Sequence, residues 1–334
     1  MTETENILTD TFGREHTYLR ISLTERCNLR CTYCMPAGGI PLSPKSHIMT
    51  YEEIFTIAKE FVSHGVTKIR LTGGEPLVRK DVGLILEKLA SLNVELAITT
   101  NGVIVDTFIE QFKRIGLQKI NVSLDSLDNE KNTTITRRDY FTKVYNNIQL
   151  LVKEGFEVKV NCVLIKGFNE NEIVDFIELT KTQPLQIRFI EFMPFDGNKW
   201  NLDKLVSLEE VLKEVCSHYD VKQFTRLKDA PNDTAKNYKI KDYKGSFAVI
   251  SSVTNPFCDS CNRIRLTANG QLKNCLFSSS ESDLLTPLRE GKSIAPVIQK
   301  AILAKKKVRN GMETLEQFKD PDSHNNRSMI AIGG

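Results

Sequence analysis

The chain reads as an α/β protein, an incomplete (β/α)6 TIM-like barrel followed by a C-terminal α+β extension. Short aliphatic and β-branched runs alternate with segments of helical spacing from Tyr18 to Val215. One such pair recurs about every 30 residues, the rhythm of right-handed crossovers onto a parallel sheet. Residues able to do chemistry cluster at the ends of those runs, where the carboxyl edge of a parallel sheet gathers ligands. From Tyr219 the rhythm stops, and short strand-like runs alternate with charged, Asp/Asn-rich loops. Closing an eight-unit barrel would need two more units, which the chain does not supply.

In order, Tyr18 to Leu23 is the first strand, and it stops at Thr24 and Glu25. A cysteine loop follows, then an irregular Gly/Pro-rich stretch from Pro36 to Pro44. Thr50, with Glu53 three positions on, caps a helix from Tyr51 to about His64, closed by Gly65. Thr67 to Leu71 is the second strand, leading into Thr72-Gly73-Gly74-Glu75-Pro76. Val82 to Ala90 is helical. Val94 to Thr99 is the third strand, ending in Thr100-Asn101-Gly102. Val105 to Arg114 is a helix, and Gln118 to Leu124 a strand with Ser123 and Asp125 at its end. Phe141 to Lys153 is a helix, Glu157 to Leu164 a strand carrying Lys159 and Asn161, and Glu172 to Thr180 a helix. Leu185 to Phe192 is the sixth strand, ended by Met193, and Ser207 caps a helix through Val215. Beyond it, Val221 to Phe224 and Gly245 to Ser251 are strand-like. Leu284 to Leu288 and Ile294 to Lys305 are helical, and Lys319 to Gly334 is an extended tail. The expected organisation is an N-terminal segment (1–15), the barrel (16–218), the extension (219–318) and the tail (319–334).

A chain of 334 residues with 40% hydrophobic content can bury a sizeable core. Its 45 basic and 42 acidic residues nearly balance at +3, so bulk charge calls for neither nucleic acid nor an anionic membrane. The polar, acidic start MTETENILTD is no signal peptide, and no apolar run reaches spanning length. A cytoplasmic protein is expected. Eight cysteines without an export signal suggest a reducing compartment and thiolates that serve metal.

Six of those cysteines fall in two triplets. Cys27, Cys31 and Cys34 are spaced C-x3-C-x2-C on one tight loop. Three thiolates there can ligate three irons of a four-iron cluster and leave the fourth open to a chelating amine and carboxylate. Zinc usually takes four protein ligands, and no fourth Cys or His lies near this loop. Cys258 and Cys261 form a close pair, and Cys275 returns beside them after a hairpin made by Ile264 to Thr267, Ala268-Asn269-Gly270 and Gln271 to Asn274. This second set is less specific, and zinc with a distant fourth ligand is a rival occupant. Arg263 and Arg265 alternate on the strand that leaves the pair and point alike, which suits an anionic ligand. The rival reading is a solvated strand face. Cys162 and Cys216 sit among apolar positions and are expected to be core thiols.

The motifs FGR-x2-TYLRIS, RCNLRCTYCMP, KIRLTGGEPL, TTNG, NVSLDSLD, VKVN, RFIEFMP and PFC-x2-CNR-x-RL…G-x-L-x-x-CLF, with the ending Ile332-Gly333-Gly334, resemble one family of the radical S-adenosylmethionine superfamily. It is the GTP 3′,8-cyclase family of molybdenum cofactor biosynthesis, and the resemblance runs from about Phe12 to the last residue. It implies a barrel of the radical SAM type whose extension carries a second iron–sulfur cluster. It implies two 4Fe-4S clusters, on Cys27, Cys31 and Cys34 and on Cys258, Cys261 and Cys275. S-adenosyl-L-methionine would meet Tyr33, Gly74, Ser123 and Met193. GTP would meet Arg20, Arg70, Thr99, Lys159, Arg263, Ile264 and Arg265. Arg263, Arg265, Gly333 and Gly334 would take part in catalysis, the last two on a tail inserted toward the active site. The implied reaction removes hydrogen from ribose C3′ of GTP and joins C3′ to C8, giving (8S)-3′,8-cyclo-7,8-dihydroguanosine 5′-triphosphate. The implied partners are an external electron donor of the flavodoxin or ferredoxin type and a downstream cyclic pyranopterin monophosphate synthase, with a homodimer admitted.

By residues alone, Gly74 also suits a tight turn, Met193 packing, and Thr99 a hydroxyl bonded to backbone. Glu25 and Asn269 stand where many relatives carry aspartate, and neither is a ligand position. Two rivals remain at this stage. One is another radical enzyme with an auxiliary cluster, acting on a peptide or other small molecule. The other is a non-catalytic cysteine–metal protein that binds nucleic acid, for which the run Lys305-Lys306-Lys307 with Arg309 is the weak sign; such a run is more often a solvated face.

Overall fold

The structure is a computed structural model and describes residues 6–36, 38–318 and 327–334. Its strands are β1 (Tyr18–Ser22), β2 (Lys68–Thr72), β3 (Glu95–Thr100), β4 (Lys119–Ser123), β5 (Glu157–Leu164), β6 (Gln186–Glu191), β7 (Phe224–Arg226), β8 (Lys236–Ile240), β9 (Ser246–Ile250), β10 (Arg263–Leu266), β11 (Gln271–Lys273) and β12 (Ser282–Asp283). Its helices are α1 (Tyr51–Ser63), α2 (Val82–Ala90), α3 (Ile109–Arg114), α4 (Asn129–Thr136), α5 (Phe141–Lys153), α6 (Ile173–Thr182), α7 (Leu208–His218), α8 (Leu285–Arg289), α9 (Ala295–Leu303) and α10 (Met329–Ile332).

Local chemistry explains the main elements. Thr50 and Glu53 close a reciprocal capping box on α1, and Ser207 and Glu210 do the same on α7. Along α1 the buried residues Ile54, Ile57, Ala58 and Phe61 recur at helical spacing and form its inner stripe. In β5 the period is two. Val158, Val160, Cys162 and Leu164 are buried, while Lys159 and Asn161 face the other way.

All twelve strands form one sheet, ordered β12-β11-β10-β1-β2-β3-β4-β5-β6-β9-β8-β7. Strands β1 to β6 are the expected parallel six. The C-terminal region then adds a strand at each edge, as β10 pairs parallel with β1 and β9 pairs parallel with β6. Eight neighbouring parallel strands result, with antiparallel pairs outside them. The main core lies between these strands and the helices. A second, smaller apolar cluster of Leu205, Val253, Phe277, Met312 and Phe318 packs with Met193, Trp200 and Cys275.

The structure departs from the sequence pattern at several local points. Val221–Gln223 is a 3-10 turn, and the strand there is β7. α4 and β8 were not anticipated, because NEKNTTIT and KNYKI carry little apolar signal. α4 is held by its cap, since Asp128 accepts from the amides of Glu130 and Lys131 at 2.8 and 2.9 Å. The tail is not extended throughout: Met329–Ile332 is a helical turn, and 319–326 lie outside the described residues. Cys162 is a core thiol as expected, but Cys216 is exposed on α7. Among the described residues, no helix is long and apolar enough to cross a membrane.

Candidate active site

The sheet's inner face borders a cavity of 610 Å³, within the usual range for a small-molecule site. Strand register sets its floor. Arg20 of β1 pairs with Arg265 of β10 on one side and Arg70 of β2 on the other, so three guanidinium groups lie side by side on one face. One pleat earlier Tyr18 lies between Arg263 and Lys68. Lys159 of β5 and Arg188 of β6 line the same cavity.

Crowding of half-buried cations around the buried Arg70 makes this floor hungry for negative charge. Burial, then the neighbouring cation Arg188, takes Lys159 down to about 8. Burial first and surrounding arginines after it lower Arg20 to about 10 and Arg265 to about 9. For the Tyr18 phenol burial acts upward, but Arg70, Arg20 and Lys68 outweigh it and bring it to about 7. Arg70 is partly satisfied: it donates to the Tyr18 hydroxyl at 2.5 Å, the Ile98 carbonyl at 2.9 Å and the Thr99 hydroxyl at 3.5 Å. Arg20 Nε, Arg263 Nη1, Asn121 Oδ1 and Asn161 Oδ1 are buried with no partner among the described residues. Such orphans on a cavity wall mark where a polar ligand belongs.

The two cysteine triplets line this cavity too. β10 runs parallel to β1, so the segment that precedes β10, with Cys258 and Cys261, lies at the amino edge of the strands. β11 returns antiparallel and delivers Cys275 to that edge. The loop with Cys27, Cys31 and Cys34 follows β1 and lies at the carboxyl edge. The basic row is therefore between the triplets. All six cysteines are half-buried and free. Among the described residues no group of three His, Cys, Asp or Glu side chains stands close enough to hold a metal ion.

The first triplet is braced from three sides. The amides of Arg30 and Thr32 bond the end of α4 through the Thr136 and Ile135 carbonyls, each at 2.9 Å. Asn101 Nδ2 reaches Cys27 Sγ at 3.7 Å. The turn after β2 pairs with the loop after β1, through Gly74 N to Thr24 O at 2.7 Å and Glu75 N to Arg26 O at 2.8 Å. A Cβ on Gly74 would stand 2.4 Å from the Arg26 carbonyl, so only glycine allows that approach. Burial raises the Cys27 thiol to about 12, and Glu75 behind it, bonded by Thr100 and Asn101, to about 7. Tyr33 donates to Asp125 at 2.8 Å, and burial raises Asp125 to about 6.

The tail enters as well. Gly334 lines the cavity and its main-chain oxygen accepts from Arg20 Nη2 at 2.8 Å, while the Gly333 carbonyl accepts from Arg265 Nη1 at 2.5 Å. Gly333 has φ +81°, and a Cβ there would meet Thr72 Oγ1 at 2.6 Å.

Of the residues singled out from sequence, the cavity is lined by Tyr33, Gly74, Ser123, Met193, Arg20, Arg70, Thr99, Lys159, Arg263, Arg265, Gly334 and both cysteine triplets. Ile264 is not among them. Its neighbours point inward, so by strand alternation its fully buried side chain points into the core. Gly333 stands behind the wall. Arg188, Asn121, Asp233 and the braces Asn101 and Asp125 were missed as site residues. The signal for Arg188 was present, a cation between Ile187 and Phe189, as for Arg20 and Arg70.

An α/β sheet of this topology, with a C-x3-C-x2-C loop after its first strand and a glycine turn after its second, defines a radical SAM protein. The Radical SAM superfamily matches residues 21–180, the stretch that contains Cys27, Cys31 and Cys34, and Molybdenum Cofactor Synthesis C matches residues 185–311. The chain belongs to the GTP 3′,8-cyclase family of molybdenum cofactor biosynthesis. It is 47% identical to the mitochondrial GTP 3′,8-cyclase of Arabidopsis thaliana, over 98% of this chain and 84% of that one. It is 42% identical to the GTP 3′,8-cyclase of Peptoclostridium acidaminophilum, over 99% of this chain and 100% of that one. It also matches molybdenum cofactor biosynthesis protein 1 of Dictyostelium discoideum at 45% identity over 98% of this chain, but spans only 52% of that longer protein. The fold is that of SuiB of Streptococcus suis bound to S-adenosylmethionine, with TM-score 0.60 at 15% identity over 94% of this chain and 77% of that one.

Proposed function

We propose that the chain is a GTP 3′,8-cyclase, the radical SAM enzyme that converts GTP to (8S)-3′,8-cyclo-7,8-dihydroguanosine 5′-triphosphate. The observation that carries this is the three-arginine row Arg265–Arg20–Arg70 set between two cysteine triplets on one cavity. Each triplet supplies three free thiols that line the cavity, the donor type that a four-iron cluster takes. Cys27, Cys31 and Cys34 would hold the first and Cys258, Cys261 and Cys275 the second. When bound, the first cluster with S-adenosyl-L-methionine supplies the one-electron chemistry that allows hydrogen abstraction at C3′.

The protein's part is binding and aim. Tyr33, Gly74, Ser123 and Met193 surround the place for S-adenosyl-L-methionine, with Tyr33 fixed by Asp125. Arg20, Arg70 and Lys159 grip the triphosphate, and Thr99 steadies Arg70. Arg263 and Arg265 reach the sugar and base, and the main chain of Ile264 holds both in register with β1. Gly333 and Gly334 orient Arg265 and Arg20 from the tail. Ordering substrate between the triplets brings C3′ and C8 together, which is where positioning contributes most.

The same reading divides the chain at 1–15, 16–218, 219–318 and 319–334 by role. It places the protein in the cytoplasm with a flavodoxin- or ferredoxin-type electron donor, and sends product to a cyclic pyranopterin monophosphate synthase. The test is anaerobic reconstitution followed by GTP, S-adenosyl-L-methionine and a reductant. Expected are about eight irons per chain, 5′-deoxyadenosine and a cyclised nucleotide. Two loaded clusters that yield no deoxyadenosine with GTP would refute the assignment.

A further inference from the structure

The run Lys305-Lys306-Lys307 with Arg309 is not a solvated face throughout. Lys305 and Arg309 are 4% and 5% exposed, and the Lys305 side chain and the Arg309 amide both meet the second cysteine triplet. Lys305 Nζ lies 3.6 Å from Cys261 Sγ and donates to the Arg263 carbonyl at 3.0 Å. No carboxylate lies within ion-pair distance of it among the described residues. The Arg309 amide donates to Cys258 Sγ at 3.4 Å. That amide is aimed by an uncommon backbone, with φ +38° at Arg309 and +59° at Asn310. The Arg309 guanidinium holds the turn by donating to the Val253 and Glu313 carbonyls, each at 2.5 Å, over the Phe318 ring. Arg14 ties the outside together. It donates to the Cys258 and Lys307 carbonyls at 2.8 Å and to the Lys306 carbonyl at 3.0 Å, and is itself oriented by Asp10 at 2.6 Å.

A buried ammonium without a carboxylate needs another anion close by, and the nearest acceptors are thiol sulfur and a carbonyl. Among the described residues, no Lys or Arg side chain bonds a sulfur of the first triplet, where Cys27 accepts from the Leu29 amide at 3.3 Å and from the Asn101 amide group. We infer that Lys305 and the Arg309 turn, braced by Arg14, form a clamp on the second triplet that retains its iron–sulfur centre and raises that centre's reduction potential above the first. Lys305 and Arg309 are positioning residues, acting through the cysteines. The inference rests on the proposed second cluster.

A positive charge beside thiolates favours the electron-richer state, and outer partners of this kind typically change metal affinity about 10- to 100-fold. The test uses the full chain reconstituted without oxygen, with Lys305→Gln and Lys305→Arg variants checked by circular dichroism. Chelator-driven iron loss and an EPR redox titration are the readouts. In Lys305→Gln the second centre should lose iron about 10- to 100-fold faster. Its reduction should become about tenfold less favourable, ~59 mV for one electron. The first centre should be unchanged, and Lys305→Arg should restore both values. Parental retention and potential in Lys305→Gln would overturn the clamp. If Lys305→Gln does not fold, pulsed EPR of the unsubstituted protein decides. Exchangeable-proton couplings at the second centre that vanish in D2O support the clamp, and their absence overturns it. About four irons in the unsubstituted chain would instead defeat the second-cluster reading itself.

Discussion

His16 shows how one side chain ties acid stability to the N-terminal segment. It is fully buried with Nε2 3.2 Å from Asp10 Oδ2, and burial, with Lys305 nearby, lowers it from 6.5 to about 3. It is neutral in the fold, whereas the unfolded chain takes up a proton below about 6.5. Between those values the unfolded state binds more protons, so this group's contribution to stability falls as pH falls. Glu75 and Asp125 act oppositely, because their raised carboxyls favour the fold in acid and lose that advantage as pH rises through about 7 and 6. Replacing His16 by Gln isolates the first effect. The stability of the parent minus that of His16→Gln should fall from pH 6.5 toward pH 4, by at most about 1.4 kcal/mol per pH unit. Urea unfolding across that range measures it, and a pH-independent difference would count against a neutral buried imidazole. At this scale much of the site was legible. The cysteine spacing and the arginines isolated in aliphatic strands need only local chemistry to be noticed. Lys305 was not legible, because a lysine after a helix looks the same whether it meets water or a cysteine sulfur in the fold. Cys216 misled for the mirror reason, since apolar sequence neighbours on a helix do not fix which face a residue takes.

Elements were legible where one period dominated, as in α1, α5 and β5, and illegible where capping or pairing did the stabilising. α4 has a single strong cap and few apolar residues, and β8 exists because β9 offers it an edge. The short α10 belongs with these. Ile330, Ala331 and Ile332 are buried, which tertiary packing imposes on a segment too short to be helical alone. Its placement makes Gly333 a sensitive point. A Cβ there would meet Thr72 Oγ1 at 2.6 Å and Ser22 Cβ at 2.9 Å, at a φ of +81° that disfavours side chains. Gly333→Ala should push the end of the tail off the cavity and leave Arg265 and Arg20 without their main-chain acceptors. Turnover should drop about 100-fold while unfolding temperature and iron content stay near parental values. Unimpaired turnover would show that the tail's contact with the arginine row is incidental.

At the scale of the whole molecule, the extension is built into the barrel's sheet rather than set beside it. The sequence pattern suggests an end to the alternating units near residue 218, but it could not show that the later strands return to both margins. That pairing joins residues far apart in the chain, and no local period encodes it. β10 covers β1, and β9 covers β6. The four bonded register pairs between β1 and β10 set Arg265 beside Arg20, so the same pairing that protects the edge completes the basic row. A chain cut after residue 218 would keep all six inner strands and their helices, yet present two bare parallel edges. β6 and β1 would each present unpaired backbone beside the apolar residues Ile187, Phe189, Leu19 and Ile21. Edges of that kind recruit other chains. The truncated protein should therefore aggregate at micromolar concentration and lose iron from the first triplet, even though Cys27, Cys31 and Cys34 are all present. Analytical ultracentrifugation and iron analysis of the fragment beside the full chain measure this. A monomeric, iron-loaded fragment would mean that the six-strand unit is stable without its flanking strands, and that the second triplet is joined to it for chemistry alone.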